Sequence, residues 1–368
     1  MKSVRLVIPD LFLPKDFAAE VCAELRLPAL EKLLGRGRSE ILDPVPLENL
    51  LCEMFGMSCQ ADAPIAPVSA AFDGLGAGCW LRADPVHLRL QRDQMLLLPN
   101  MEISADEAGQ MCASLNIHFA GQGMEFFAPH PQRWYVRLGT LPGIHTRPLS
   151  QVIGGDVRGA LPTGEEAARW HQVFNEIQML LFAHPLNESR DARGALPINS
   201  VWLWGGGSVT GLLQKSYDKV SSDEVLVEMF AAAAGVPFAA WSEQWQAPLT
   251  PALMEPLAIR LGSQKTADKS MVISRKERGL SSEGKQLLVW TGLRSALQSG
   301  DLAAWRTALQ DFENGYARPL WQALRSGKIA RLQIDILGAD SIRRVLLTRG
   351  DTRTFWRRAR RLAEYSLT

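Results

Sequence analysis

What this chain has little of narrows its reading first. Its five cysteines, Cys22, Cys52, Cys59, Cys79 and Cys112, form an odd, loosely spaced set with no CxxC pair. That excludes a disulfide framework and points to free, mostly buried thiols in a reducing compartment. Histidine is equally sparse: there are six, and none follows His184. No histidine or cysteine pair has zinc-ligand spacing. An excess of one charge is missing too, since 40 Lys+Arg against 39 Asp+Glu leaves +1. Wholesale binding of nucleic acid is therefore disfavoured, although a local basic patch can still form. No run of about 18 apolar residues exists to span a membrane. The opening MKSVRLVIPDLFLPKDF is interrupted by Asp10 and two prolines, which does not suit a signal peptide, so the expected location is cytoplasmic. Nucleophile elbows, HExxH and Cys-His pairs are absent as well.

What is there is an ordinary globular composition, 368 residues with 46% hydrophobic and 21% charged, enough to bury a core without staples. SVRLVIP (3–9), SVWLW (200–204), QLLVW (286–290) and LQIDIL (332–337) read as apolar strands separated by helical stretches. That alternation predicts an α/β fold with a largely parallel, covered sheet holding 3–9, 200–204 and 286–290 together. APIAPVSAAFDGLGAG (63–78) reads as a boundary or crossing segment. CWLRADPVHLRLQRDQMLLLP alternates like two strands of a half-exposed sheet. SADEAGQMCASLNIHF opens with a serine cap and acids in the first turn, a helix start. RWYVRLG is another strand, TGEEAARWHQVFNEIQMLLF a helix, and 299–324 an amphipathic helical pair. The expected organisation is one domain from 1–77 and 191–368, interrupted by a smaller α+β domain at 78–190.

Four polar stretches are candidates for chemistry. The strand VWLW runs into GGGS, and Gly205 and Gly207 would let backbone N–H groups approach an anion at the carboxyl end of a strand; a tight strand-to-helix turn is the alternative. His184, Asn187, Arg190 and Arg193 lead into that strand, and arginine suits phosphate or carboxylate; a structural role is equally open. Arg82 and Asp84 share a strand face and read as a solvated ion pair. Eight arginines lie between Arg343 and Arg361. Arg353, Arg357 and Arg361 would share one helical face, with Phe355 and Trp356 interleaved, as either a solvated helix or a dock for an acidic partner.

HPLNESRDARGALPINSVWLWGGG (184–207) resembles the His-Pro-x-Asn segment of archaeal-type cofactor-independent phosphoglycerate mutases, which continues through an arginine and a glycine into a strand ending Gly-x-Gly. ISADEAGQMCASLNIHF resembles a helix of that family's inserted domain. PQRWYVRLG is similar to its Tyr-Arg-His strand, with Arg133 on the arginine and Trp134 on the histidine. LPGIHTRPLSQVIGGDVRGALP places His145 on the histidine of a Pro-Pro-His segment, and WLRADPVHL places Arg82 on the arginine of a Phe-Arg-Cys-Asn strand. The nearest likeness is to the bacterial branch called Rpf regulatory protein E type, and it thins after about residue 235. The resemblance implies an alkaline-phosphatase-like α/β domain with an inserted substrate domain, a phosphorylated serine, and two divalent metals that clamp the transferring phosphoryl group.

The sequence departs from that pattern on the metal side. IPDLF keeps Asp10 but lacks the glycine that follows it in the family. VPLENLL places Leu47 and Glu48 where Ser-Asp is expected. WTGLRSALQSGD (290–301) retains Asp301 without a histidine. Asp10, Glu48 and Asp301 are thus vestigial metal candidates, and no cofactor is expected, with one divalent metal such as manganese as the alternative. Arg82, Arg133, His145, His184, Asn187, Arg190, Arg193, Gly205 and Gly207 remain as an expected anion pocket. The leading expectation is a mutase-like regulatory or phosphometabolite-binding protein. The alternatives are a divergent mutase or metal-dependent phosphoesterase, and an interaction protein docking an acidic partner through its arginine-rich C-terminus.

Overall fold

The computed structural model describes residues 2–59, 62–98, 102–208, 213–245, 284–354 and 356–365. Among them twelve strands build two sheets: β1 (Ser3–Pro9), β2 (Arg38–Leu42), β3 (Cys79–Gln91), β4 (Gln94–Leu98), β5 (Met124–His130), β6 (Arg133–Leu138), β7 (Ser200–Ser208), β8 (Lys219–Ser222), β9 (Phe238–Ala240), β10 (Lys285–Val289), β11 (Arg331–Leu337) and β12 (Ile342–Thr348). The first sheet runs β2-β12-β11-β1-β10-β8-β9. Its centre is parallel, with β1 between β10 and β11, while β12 runs antiparallel to β11 and to β2. Alternation along β1 explains why this sheet is covered on both sides. Leu6 and Ile8 enter one core with Leu288, Ile334 and Ile336, and Val7 enters the other with Leu287 and Val289. The α/β expectation therefore holds, and so do the strands at 3–9, 286–290 and 332–337.

The strand at 200–204 is a correction. β7 does not join β1; it pairs antiparallel with β3 in the second sheet, whose order is β4-β3-β6-β5. An apolar run says that both faces are covered, but not by which sheet. Val201 and Leu203 pack with the helices Ala105–His118 and Ala167–Phe182, whereas Trp202 and Trp204 turn the other way into the core shared with the first sheet. The second sheet thus gains a strand beyond residue 190. Burial of the two tryptophans is worth roughly 2 kcal/mol each or more, so the two layers are fastened at this strand.

Three local expectations also change. The Pro/Ala segment after residue 63 is not only a crossing: Ile65–Phe72 is a buried helix, with Pro67 in its first turn, where proline costs no hydrogen bond. The arginine-rich end is not one helix. Residues 342–348 form β12, 349–353 a 3-10 turn closed by the Thr348–Asp351 capping box, and only Leu362–Tyr365 is α-helical. Arg357 donates to the carbonyl of Arg36 and Arg361 to that of Leu25, so this stretch is a strap across the layer of the first sheet, with Leu362 buried beneath it. Arg353 and Trp356 are exposed, and Phe355 lies outside the described residues. The helical pair at 299–324 is a nearly continuous run, Leu302–Phe312 and Arg318–Ser326, joined by a π-helical turn at Glu313–Ala317.

Candidate functional site

A cleft of about 460 Å³ opens at the carboxyl ends of β8 and β10, between the two sheets. Open parallel sheets offer ligand crevices at this edge. One wall comes from the second sheet: Arg82, Asp84, His130, Arg133 and Trp204. The other comes from helix first turns and strand ends around the first sheet: Leu47, Glu48, Asp223, Glu224, Thr291 and Arg294. An adjoining cavity shares Leu47, Ser150 and Arg294 and extends to Asp10 at the end of β1.

On the sheet wall the arginines are held by carboxylates. Arg82 donates Nε and Nη2 to Asp84 Oδ1, at 3.0 and 2.6 Å, and Trp204 Nε1 donates to Asp84 Oδ2 at 2.7 Å. Its guanidinium lies 5.3 Å from the ring centres of Tyr135 and Trp204, within cation–π range. The pair reads correctly from the sequence, but it is buried rather than solvated, because β7 covers it. Arg133 donates Nε and Nη2 to Asp73, and Tyr135 adds its hydroxyl to the same carboxylate at 2.5 Å. Burial would raise the Asp73 carboxyl, yet the bonds from Arg133 and Tyr135 outweigh it and carry it below the usual carboxylate value. His130 is pushed below the usual imidazole value by burial and by the Arg133 charge.

The opposite wall is acidic. Asp223 accepts the Thr291 N–H, and Glu224 caps the helix Val225–Ala233 through the Leu226 N–H. Burial raises both carboxyls. Glu48 sits in the first turn of the helix Leu47–Met54, 4% exposed, and accepts Ser150 Oγ at 2.7 Å. Asp10 takes a left-handed φ of 61° where the family pattern has its Asp-Gly. That conformation is uncommon for a non-glycine residue and recurs at functional sites.

The rest of the expected pocket lies elsewhere. His184 caps the helix Pro185–Ala192 and shares a hydrogen bond with Ser114 Oγ. Asn187 is buried and ties Leu181 to Ile198 through three backbone bonds. Arg190, 1% exposed, gives its donors to Glu107, Leu196 O and Glu102 O, and Arg193 joins it on Glu107. These four residues lock a corner of the second layer and do not line the cleft. His145 is exposed near Asp62, in a separate groove. Gly205 and Gly207 lie within β7 rather than after it, at a bulge opposite Leu81, with Gly205 at φ 67°. A Cβ on Gly207 would stand 2.5 Å from Pro64, and one on Gly205 3.1 Å from Ile65. These glycines admit the helix Ile65–Phe72. Asp301 caps Leu302–Phe312 and is exposed, away from the cleft.

Sequence reasoning missed Asp223, Glu224, His130 and Arg294. For the first two the signal was weak, since they follow β8, whose KVSS holds only one apolar residue. For Arg294 there was none, because its partner Asp10 is 284 positions away.

No family model matches the chain. It is 25% identical over 192 residues to the 2,3-bisphosphoglycerate-independent phosphoglycerate mutase of Methanosarcina mazei, half of this chain and 48% of that one. A probable enzyme of the same name from Geobacter sulfurreducens is 37% identical over 65 residues, 18% of this chain and 16% of its own. The chain is a distant relative of the cofactor-independent phosphoglycerate mutases. Its match to those mutases spans about half their length or less. In fold it is similar to a Pyrococcus horikoshii protein of solved structure, with a TM-score of 0.53 at 13% identity, covering 99% of this chain and 92% of the other.

The two metals that the mutase resemblance implies do not fit the described residues. Among the described residues no three His, Cys, Asp or Glu side chains are grouped to hold a metal ion. Leu47 occupies the first helical position where the serine is expected, and the guanidinium of Arg294 lies between Asp10 and Glu224.

Proposed function

We propose that this chain is a phosphoglycerate-mutase-like regulatory protein of the Rpf regulatory protein E type. In this reading it binds a small phosphorylated acid in the cleft and has lost metal-dependent phosphoryl transfer. The observation that carries the reading is Leu47 in the first turn of the helix Leu47–Met54, on the cleft wall facing Arg82 and Arg133. A leucine side chain has no atom that can accept a phosphoryl group, whereas the arginines opposite can still bind one. Their carboxylate partners take Nε and Nη2 of each, so Nη1 stands outside both pairs. The carboxylates fix the guanidinium planes in advance, which lowers the ordering cost of binding. A cytoplasmic location goes with this ligand class; no described helix is long and apolar enough to cross a membrane.

The test is thermal melting with millimolar 3-phosphoglycerate and related phosphorylated acids, against chloride at matched ionic strength, alongside a coupled mutase assay with manganese. Ligand that binds the native state raises the melting temperature with concentration. The expected result is such a rise without turnover. Turnover comparable with an active mutase, or no shift with any phosphorylated acid, overturns the reading. A second reading, docking of an acidic partner, has its own support: Trp356–Arg361 is exposed throughout and carries four arginines. Steeply salt-dependent binding to an acidic protein would favour it.

A further inference from the structure

Beneath the cleft Arg294 meets two carboxylates, Asp10 and Glu224, and two more, Asp223 and Glu48, stand close by. Asp10 follows β1, Asp223 and Glu224 follow β8, and Glu48 enters from the helix Leu47–Met54. The side chain of Arg294, at the start of the helix Arg294–Ser299, reaches across them: Nε is 3.4 Å from Asp10 Oδ2 and Nη1 is 3.9 Å from Glu224 Oε2. Its charge is also felt at Asp223, while Glu48 and Asp223 both act on Glu224 as like charges. A separate observation marks the pocket. Glu48 gives one carboxylate oxygen to Ser150, and its Oε2 is buried on the cleft wall without a hydrogen-bond partner. Buried acceptors are costly to leave unmatched, and converging carboxylates repel unless a cation stands among them.

We propose that Arg294 is the built-in counter-cation of this acid pocket, holding with a tethered guanidinium the position a bound divalent ion would otherwise take. Removing its charge should turn the pocket into a divalent-cation site. Guanidinium suits this role because it is planar, always charged and offers five donors, so it can meet carboxylates on different sides without an ion being captured from solution. Its bulk also accounts for the donor set as it stands, since a guanidinium between Asp10 and Glu224 keeps their oxygens from closing on a small ion. The inference concerns the acidic wall and stands whether or not a phosphorylated acid binds the arginine wall.

The test compares full-length wild type with Arg294→Gln, Arg294→Ala and Arg294→Lys. Manganese uptake is read by equilibrium dialysis with metal analysis, and melting is followed in manganese chloride against sodium chloride of equal ionic strength. Arg294→Gln and Arg294→Ala should melt lower than wild type, take up stoichiometric manganese and be restabilised by it. Wild type and Arg294→Lys should do neither, and adding Glu48→Gln to Arg294→Gln should weaken the uptake. If the neutral variants fold only when refolded with manganese, that rescue supports the proposal, and failure to rescue overturns it. Equal manganese binding by wild type, or none by folded Arg294→Gln, overturns it as well.

Discussion

Two arginine-bearing regions of this molecule look alike in sequence and behave differently in space. The corner at 184–193 and the cleft wall carrying Arg82 and Arg133 each set arginines beside acids on regular elements. In the corner, backbone carbonyls at Glu102 and Leu196 and the carboxylate of Glu107 consume the donors of Arg190, which is left 1% exposed. On the cleft wall each arginine is held by a single carboxylate through Nε and Nη2 only, and open volume lies in front. A polar cluster becomes a binding site only where nearby backbone leaves it donors to spend.

This contrast can be broken first at Arg190. Arg190→Met should cost about 3 kcal/mol or more in denaturant unfolding, because Glu107 loses a buried partner and two carbonyls lose a donor. The response to phosphorylated acids at a temperature where the variant is folded should not change; a lost response would put the corner back into the site. Asn187→Ala comes next, at roughly 2–3 kcal/mol for three buried backbone bonds, read the same way. A loss below about 0.5 kcal/mol would mean that water replaces the staple.

Acid sharpens the same comparison. Burial alone would raise Glu107, but the Ser104 N–H together with Arg193 and Arg190 holds it near 2, against an ordinary 4.5. A depressed folded value means that its stabilisation is complete above about pH 4.5 and is lost as the pH falls toward 2. Glu107→Gln should therefore flatten the acid limb of the stability curve while lowering stability at neutral pH. An unchanged acid limb in that variant would remove Glu107 from the account. A smaller structural effect is expected at Arg133→Ala, about 2 kcal/mol, since the Asp73 carboxylate, 7% exposed, keeps the Tyr135 hydroxyl. Yet it should abolish most of the ligand-dependent melting shift, which Arg357→Ala in the strap should leave intact. Equal shifts in both variants would move the ligand away from the sheet wall.

Much of this was legible in the sequence because it depends on neighbours along the chain. Ser104 and Glu107, three residues apart, form a capping box wherever a helix begins there. The largely apolar runs of β1, β10 and β11 implied a covered sheet, since successive side chains point to opposite faces and both must be hidden. Leu47 in place of a serine, and the lack of imidazole after His184, are properties of composition that no folding can alter. Tertiary structure decided what depends on partners distant in the chain. It sent 200–208 to β3 rather than β1, because burial on both faces is satisfied equally by either sheet. It spent the donors of Arg190 inside the corner, and it brought Arg294 against Asp10 across 284 positions. Side-chain chemistry sets what a residue can do, and only the packed geometry decides which atoms are left free to do it.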